Sequence, residues 1–238
     1  MMSYPSPNYD DRPEGVKIKY LILHYTGMNT GKAALDRLCD EAAKVSAHYL
    51  IEEDGRVFSL VPEGKRAWHA GRSSWEGERD INGYSIGIEL VNPGHDSPGY
   101  KGDYRPFPEA QMAALIDLCR GILTRHDIKP WHVLGHSDVA PARKCDPGEL
   151  FDWQRLAEAG IGVWPVKADK KQSIAGNAAS FQERLSLYGY EFDGHKDFPG
   201  QRIVTAFQRH FRPLDISGDI DDECRQILDD LLTIKALT

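Results

Sequence analysis

The stretch that most restricts the fold is I-K-Y-L-I-L-H-Y at residues 18–25. It begins by alternating and then becomes almost wholly apolar, as a strand in the middle of a sheet does. His24 lies at its C-terminal end. Residues 84–91 (Y-S-I-G-I-E-L-V) alternate throughout, with Ile86, Ile88 and Leu90 on one side and Ser85, Gly87 and Glu89 on the other. A third, short apolar run, Val133-Leu134, leads into G-H-S-D-V-A-P-A-R-K-C-D-P-G at 135–148. That loop gathers His136, Lys144 and Asp146, and loops that follow strands are where a rigid scaffold usually displays chemistry.

The other segments read as follows. Residues 1–15 are an extended lead-in, with Pro5, Pro7 and Pro13 opposing helix. Thr30 can cap a helix over 31–44. Residues 46–53 and 56–61 form a strand pair around the Asp54-Gly55 turn signal. Residues 62–83 look like one long loop carrying Trp68, His69 and Trp75, and 92–106 is loop by composition. Strong helical periodicity spans 108–126, and a shorter helix is expected over 150–159. This order predicts an α/β fold, a central mixed β-sheet flanked by helices, over residues 1–165. Residues 161–176 read as a linker. The remainder, 176–238, reads as a small three-helix all-α domain with helices near 178–187, 201–210 and 219–232.

The net charge of −7 gives no electrostatic support to a nucleic-acid role, and no apolar run approaches the length of a membrane span. The N-terminus shows no basic segment followed by an apolar one, so no signal peptide is visible. None of the 4 cysteines stands in C-x-x-C spacing. Cys39 and Cys119 read as small buried hydrophobes. Nothing here fixes an oligomeric state.

A catalytic zinc takes three protein ligands and keeps one position for water. His24, His136 and Asp146 can supply such ligands, with Glu89 as the base that takes a proton from water and Lys144 as the cation beside the developing oxyanion. A strand-end histidine alone is more often structural, Asp146 before Pro147-Gly148 can simply start a turn, and Glu89 can be salt-bridged. For substrate contact the candidates are His48, Trp68, His69, Arg72, Asn82 and Arg143. The arginines suit a peptide carboxylate. Trp68 and His69 equally suit pinning the long loop, and His48 within a strand suits a structural place. Trp131, Trp153 and Trp164 read as core.

The motifs L-H-Y-T (23–26), S-A-H-Y-L-I (46–51), A-W-H-A-G (67–71), S-I-G-I-E-L (85–90) and the 135–148 loop occur in this order. Together they resemble the zinc-dependent N-acetylmuramoyl-L-alanine amidases of the AmpD type, relatives of peptidoglycan recognition proteins and phage amidases. The likeness covers about residues 17–165. It implies one Zn2+ ion on His24, His136 and Asp146, with Glu89 as catalytic base and Lys144 as transition-state stabiliser. It also implies a peptidoglycan or muropeptide substrate, in the periplasm, cell envelope or cytoplasm of a bacterium. Two departures stand out. Ala47 replaces the tyrosine of recognition-protein and phage relatives, and the third ligand falls on Asp146 with Cys145 out of register. The tail, with S-F-Q-E-R-L-S-L-Y-G-Y (180–190) and I-V-T-A-F-Q-R-H-F (203–211), more loosely resembles a three-helix peptidoglycan-binding module. The alternative for the tail is a helical cap that stabilises the first domain. The alternative for the whole chain is a protein that binds peptidoglycan without cutting it.

Overall fold

A strand whose residues are apolar on both sides needs a layer on each face, and residues 20–25 obtain both. The computed structural model describes residues 1–97, 101–165, 180–192 and 200–237. Two short strands, β1 (Met2–Ser3) and β2 (Tyr9–Asp11), occupy the lead-in. The long apolar run is β3 (Tyr20–Tyr25), followed by α1 (Gly31–Cys39), the hairpin β4 (Tyr49–Ile51) and β5 (Val57–Ser59), then β6 (Lys65–Ala67). A single turn, α2 (Ile81–Tyr84), enters β7 (Ser85–Leu90). After α3 (Glu109–Arg125) come β8 (Val133–Gly135), the one-turn α4 (His136–Val139) and α5 (Trp153–Glu158). The chain closes with α6 (Phe181–Tyr188), α7 (Gly200–Phe211) and α8 (Asp222–Leu237).

The main sheet has six strands in the order β1-β5-β4-β7-β3-β8. Strands β4, β7, β3 and β8 run parallel to one another, while β5 is antiparallel to β4. The expected mixed sheet with flanking helices therefore forms. On one face, Leu21, Leu23, Ile86, Ile88 and Leu90 pack with Met112, Leu115, Cys119 and Ile122 of α3. On the other, Tyr20, Ile22 and Leu134 belong to one apolar cluster with Trp75 and with Phe181, Leu185, Val204, Phe207 and Leu231 of the C-terminal helices. Trp75, from the expected loop, is wholly buried, with its ring 6.0 Å from Tyr188 and 4.8 Å from Tyr190. Gly189 permits this approach, because its φ is +148° and a Cβ there would lie 2.3 Å from the Trp75 ring.

Several boundaries differ from the sequence expectation for local reasons. Thr30 does cap α1, accepting the Ala33 N–H at 3.2 Å. The helix stops at Cys39 rather than 44, because the Asp40 side chain caps a separate 3-10 turn and Lys44 adopts a left-handed φ of 52°. The 62–83 stretch is not a single loop: β6 pairs antiparallel with β2, and α2 starts on the Asp80 cap. Y-D-D and K-R-A lack apolar alternation, so that ribbon left no period-two signal. The helix expected over 150–159 spans only Trp153–Glu158, and α8 runs on to Leu237. Most of the expected linker, from 166 onward, and residues 193–194 of the Y-G-Y-E-F-D-G segment lie outside the described residues.

Candidate metal centre

Parallel pairing of β3 with β7 sets His24 opposite Glu89 in register. Beside β3, strand β8 ends at Gly135, and the next residue, His136, opens α4. Ten positions later, Asp146 returns to the same spot. His24 Nδ1 lies 3.0 Å from His136 Nδ1 and 3.0 Å from Asp146 Oδ2, and His136 Nδ1 lies 3.1 Å from Asp146 Oδ2. All three residues are buried, and their ligand atoms form the group that could hold a metal ion.

The outer nitrogens decide what this group can do. His136 Nε2 sits 3.1 Å from the Ala70 carbonyl, which only accepts, so Nε2 carries the proton and Nδ1 presents a lone pair. His24 Nε2 lies 3.0 Å from His69 Nδ1, and His69 Nε2 lies 3.1 Å from Ser85 Oγ. With His24 donating to His69 and His69 donating to Ser85, His24 Nδ1 is bare as well. Burial and the neighbouring His136 hold His24 near 4, hence neutral. Burial would raise Asp146, but His136 and His24 outweigh it and hold the carboxyl well below its ordinary range. Two imidazole nitrogens and a carboxylate oxygen thus converge in a dry site, an arrangement that a cation in the gap would stabilise. Separations near 3 Å suit atoms that share an ion at roughly 2.0–2.2 Å. Ligating histidines whose other nitrogen donates to a fixed partner are the usual pattern at such centres. The residues therefore fit a metal of the zinc type.

The cluster opens into a cleft of about 260 Å³ that Glu89, Lys144, Trp68 and His69 also line. Glu89 Oε2 is buried and has no hydrogen-bond partner among the described residues. Burial and the Asp146 charge push the Glu89 carboxyl well up, with Lys144 opposing. His69 is packed against β7 because residue 87 is glycine: a Cβ there would meet the His69 ring at 2.4 Å. Cys145 turns away from the cluster. Its Sγ lies 3.1 Å from the Tyr25 hydroxyl and 3.6 Å from His95 Nδ1.

The other candidates are committed elsewhere. His48 accepts the Gly87 N–H on Nδ1 at 3.0 Å and donates from Nε2 to the Lys65 carbonyl at 3.1 Å. Asn82 Oδ1 accepts the N–H groups of His69 and Ala70. Arg143 donates to the carbonyls of Ala70 and Arg72, and so pins the 70–72 turn beneath His136. Arg72 is exposed and does not line the cleft. Reading the sequence missed the Ala70 carbonyl and the His24–His69–Ser85 relay. A histidine at 69 and a serine on the polar side of β7 were the available signal. It also missed Arg37, which lines the cleft from α1.

Comparison with known proteins decides the kinship. The N-acetylmuramoyl-L-alanine amidase profile matches residues 14–149. The chain belongs to the N-acetylmuramoyl-L-alanine amidase family. This amidase is 41% identical to N-acetylmuramoyl-L-alanine amidase AmiD of Escherichia coli (strain K12), covering 91% of this chain and 83% of AmiD. The structure of AmiD with the substrate anhydro-N-acetylmuramic acid-L-Ala-D-gamma-Glu-L-Lys matches with a TM-score of 0.80 at 40% identity, over 94% of this chain and 92% of that one. AmpDh3 of Pseudomonas aeruginosa, in complex with anhydromuramic pentapeptide, matches with a TM-score of 0.83 at 36% identity, over 94% of each chain. Among the described residues no helix of the amidase is long and apolar enough to cross a membrane.

Proposed function

We propose that the chain hydrolyses the amide bond between the lactyl group of N-acetylmuramic acid and the L-alanine of the stem peptide, using one zinc ion held by His24, His136 and Asp146. The observation that carries this reading is the convergence of His24 Nδ1, His136 Nδ1 and Asp146 Oδ2 within 3.0–3.1 Å of one another in a buried site, beside a Glu89 carboxylate oxygen that has no partner among the described residues. Zinc, when bound, polarises the amide carbonyl and lowers the pKa of water toward neutrality. Glu89 takes the proton from the attacking water and returns it to the leaving amine. A carboxyl raised by burial is suited to both halves of that task. Lys144, exposed at the edge of the cleft, places its charge beside the carbonyl oxygen as the tetrahedral intermediate forms. His69 and the Ala70 carbonyl keep His24 and His136 in the tautomers that aim lone pairs inward. Trp68 offers an aromatic wall to the sugar or peptide.

Muropeptides with anhydro-N-acetylmuramic acid, the kind held by the AmiD and AmpDh3 complexes, are the substrates this reading names first. Its setting is bacterial: the envelope if the intact wall is cut, the cytoplasm if recycled fragments are. Incubation with purified anhydro-muropeptide should release free stem peptide, detected by mass spectrometry. A chelator should abolish the release and added zinc should restore it. Asp146→Ala should lose both metal and activity, whereas Cys145→Ala should keep both. Binding of muropeptide without release would favour a recognition protein, and metal loss in Cys145→Ala would overturn the ligand assignment.

A further inference from the structure

The turn that carries His136 is gripped from the C-terminal helices. Asp138, two residues beyond His136, is buried, and its Oδ2 accepts the Gly135 N–H at 2.7 Å, which closes the first turn of α4. Two side chains from far along the chain fill the rest of that carboxylate. The Tyr190 hydroxyl donates to Oδ1 at 2.6 Å, and His210 Nδ1 donates to Oδ2 at 2.7 Å. His210 is itself fixed by stacking, 3.7 Å from the Trp153 ring and 3.9 Å from Phe211. Farther along the same loop, Arg202 of α7 donates to the Ala142 carbonyl at 2.6 Å. The Ser137 N–H meanwhile donates to the Asp146 carbonyl at 2.9 Å, tying the two metal-facing residues of the loop together.

We propose that Asp138, held by Tyr190 and His210, is a positioning residue, so that α7 and the segment just after α6 set His136 and Asp146 in place for the metal. A buried carboxylate with three donors has one stable orientation, and losing a donor leaves unpaired charge in a dry site. The geometry thus gives the tail a part in the reaction itself, through the cap reading rather than through wall binding alone. The inference rests on the cluster taking zinc, as proposed above.

The test uses the full chain in three variants, with zinc affinity by chelator competition, the visible spectrum of the cobalt-loaded protein, kcat and KM on anhydro-muropeptide, and circular dichroism. Tyr190→Phe keeps the ring against Trp75 and removes only the hydroxyl. It should fold as the parent does, yet bind zinc several-fold more weakly. His210→Leu should lose about tenfold in zinc affinity, shift the cobalt bands and lower kcat with KM unchanged. His210→Asn, which restores a donor near the Nδ1 position, should recover most of the loss. Should His210→Leu fail to fold, Tyr190→Phe and His210→Asn decide. Parental zinc affinity and cobalt spectrum in Tyr190→Phe would overturn the proposal while leaving the amidase reading intact. A parent chain that takes no zinc would overturn both.

Discussion

His48, His24 and His136 are all buried at the sheet, and they differ in what is left over. Both ring nitrogens of His48 are spent on the backbone, one on the Gly87 N–H and one on the Lys65 carbonyl. The Arg12 guanidinium lies 3.0 Å from Nε2, and burial, aided by that charge, pushes His48 down to about 3. No lone pair remains for a ligand. His24 and His136 each spend one nitrogen, on His69 and on the Ala70 carbonyl, and aim the other at Asp146. Burial is common to all three and pushes His24 down as it does His48, so neither burial nor that shift marks a metal site. What sets His24 and His136 apart is a ring nitrogen aimed at each other and at Asp146.

The largest effect expected from that difference is at the cluster. His136→Ala should leave no measurable zinc by elemental analysis of the purified protein. Its kcat/KM should drop by at least about a thousandfold, since removal of a ligand takes away the ion that polarises the carbonyl. Retained zinc and activity in that variant would mean that the lone-pair argument picks out nothing. One step smaller is Glu89→Gln. It keeps the shape of the cleft and removes the base, so activity should fall about 10²–10⁴-fold with zinc content unchanged. Loss of zinc in Glu89→Gln would make Glu89 a metal ligand and not a proton carrier.

How much of this was legible in the sequence follows from the same contrast. His24 and Glu89 were readable because strand periodicity places side chains by parity, and parallel register then brings the two together. His24, His136, Asp146 and Lys144 stood at two strand ends and on one loop, and it was the family resemblance more than their spacing that singled them out. Which histidine keeps a lone pair was not readable, because that depends on carbonyls and N–H groups of distant segments. His48 stood as a substrate candidate and, within a strand, equally suited the structural place it takes, while His69 was not seen as the partner that orients His24. Asp138 escaped for a similar reason: its partners Tyr190 and His210 come from 52 and 72 positions away. The three tail helices were legible from their apolar spacing. Their merging with the sheet through Trp75 was not, since a tryptophan in a glycine-rich stretch carries no sign of what will cover it.

The smallest effect sharpens the comparison from the side of His48. His48→Phe fills the volume but orphans the Gly87 N–H and the Lys65 carbonyl, which should cost about 3 kcal/mol at pH 7 in denaturant unfolding. Zinc content should be untouched. The pH dependence adds an independent reading. In the folded chain His48 titrates near 3, against an ordinary 6.5. Between those values the unfolded chain binds a proton that the folded chain refuses, so His48 makes the parent less stable as pH falls from 6.5 toward 3. Phenylalanine carries no such penalty. The deficit of His48→Phe should therefore shrink on going from pH 7 to pH 5, by about 1–2 kcal/mol. A deficit that stays constant or grows would show that His48 takes up a proton in the fold, in which case one of its nitrogens is not committed to the backbone and the contrast with His24 and His136 fails.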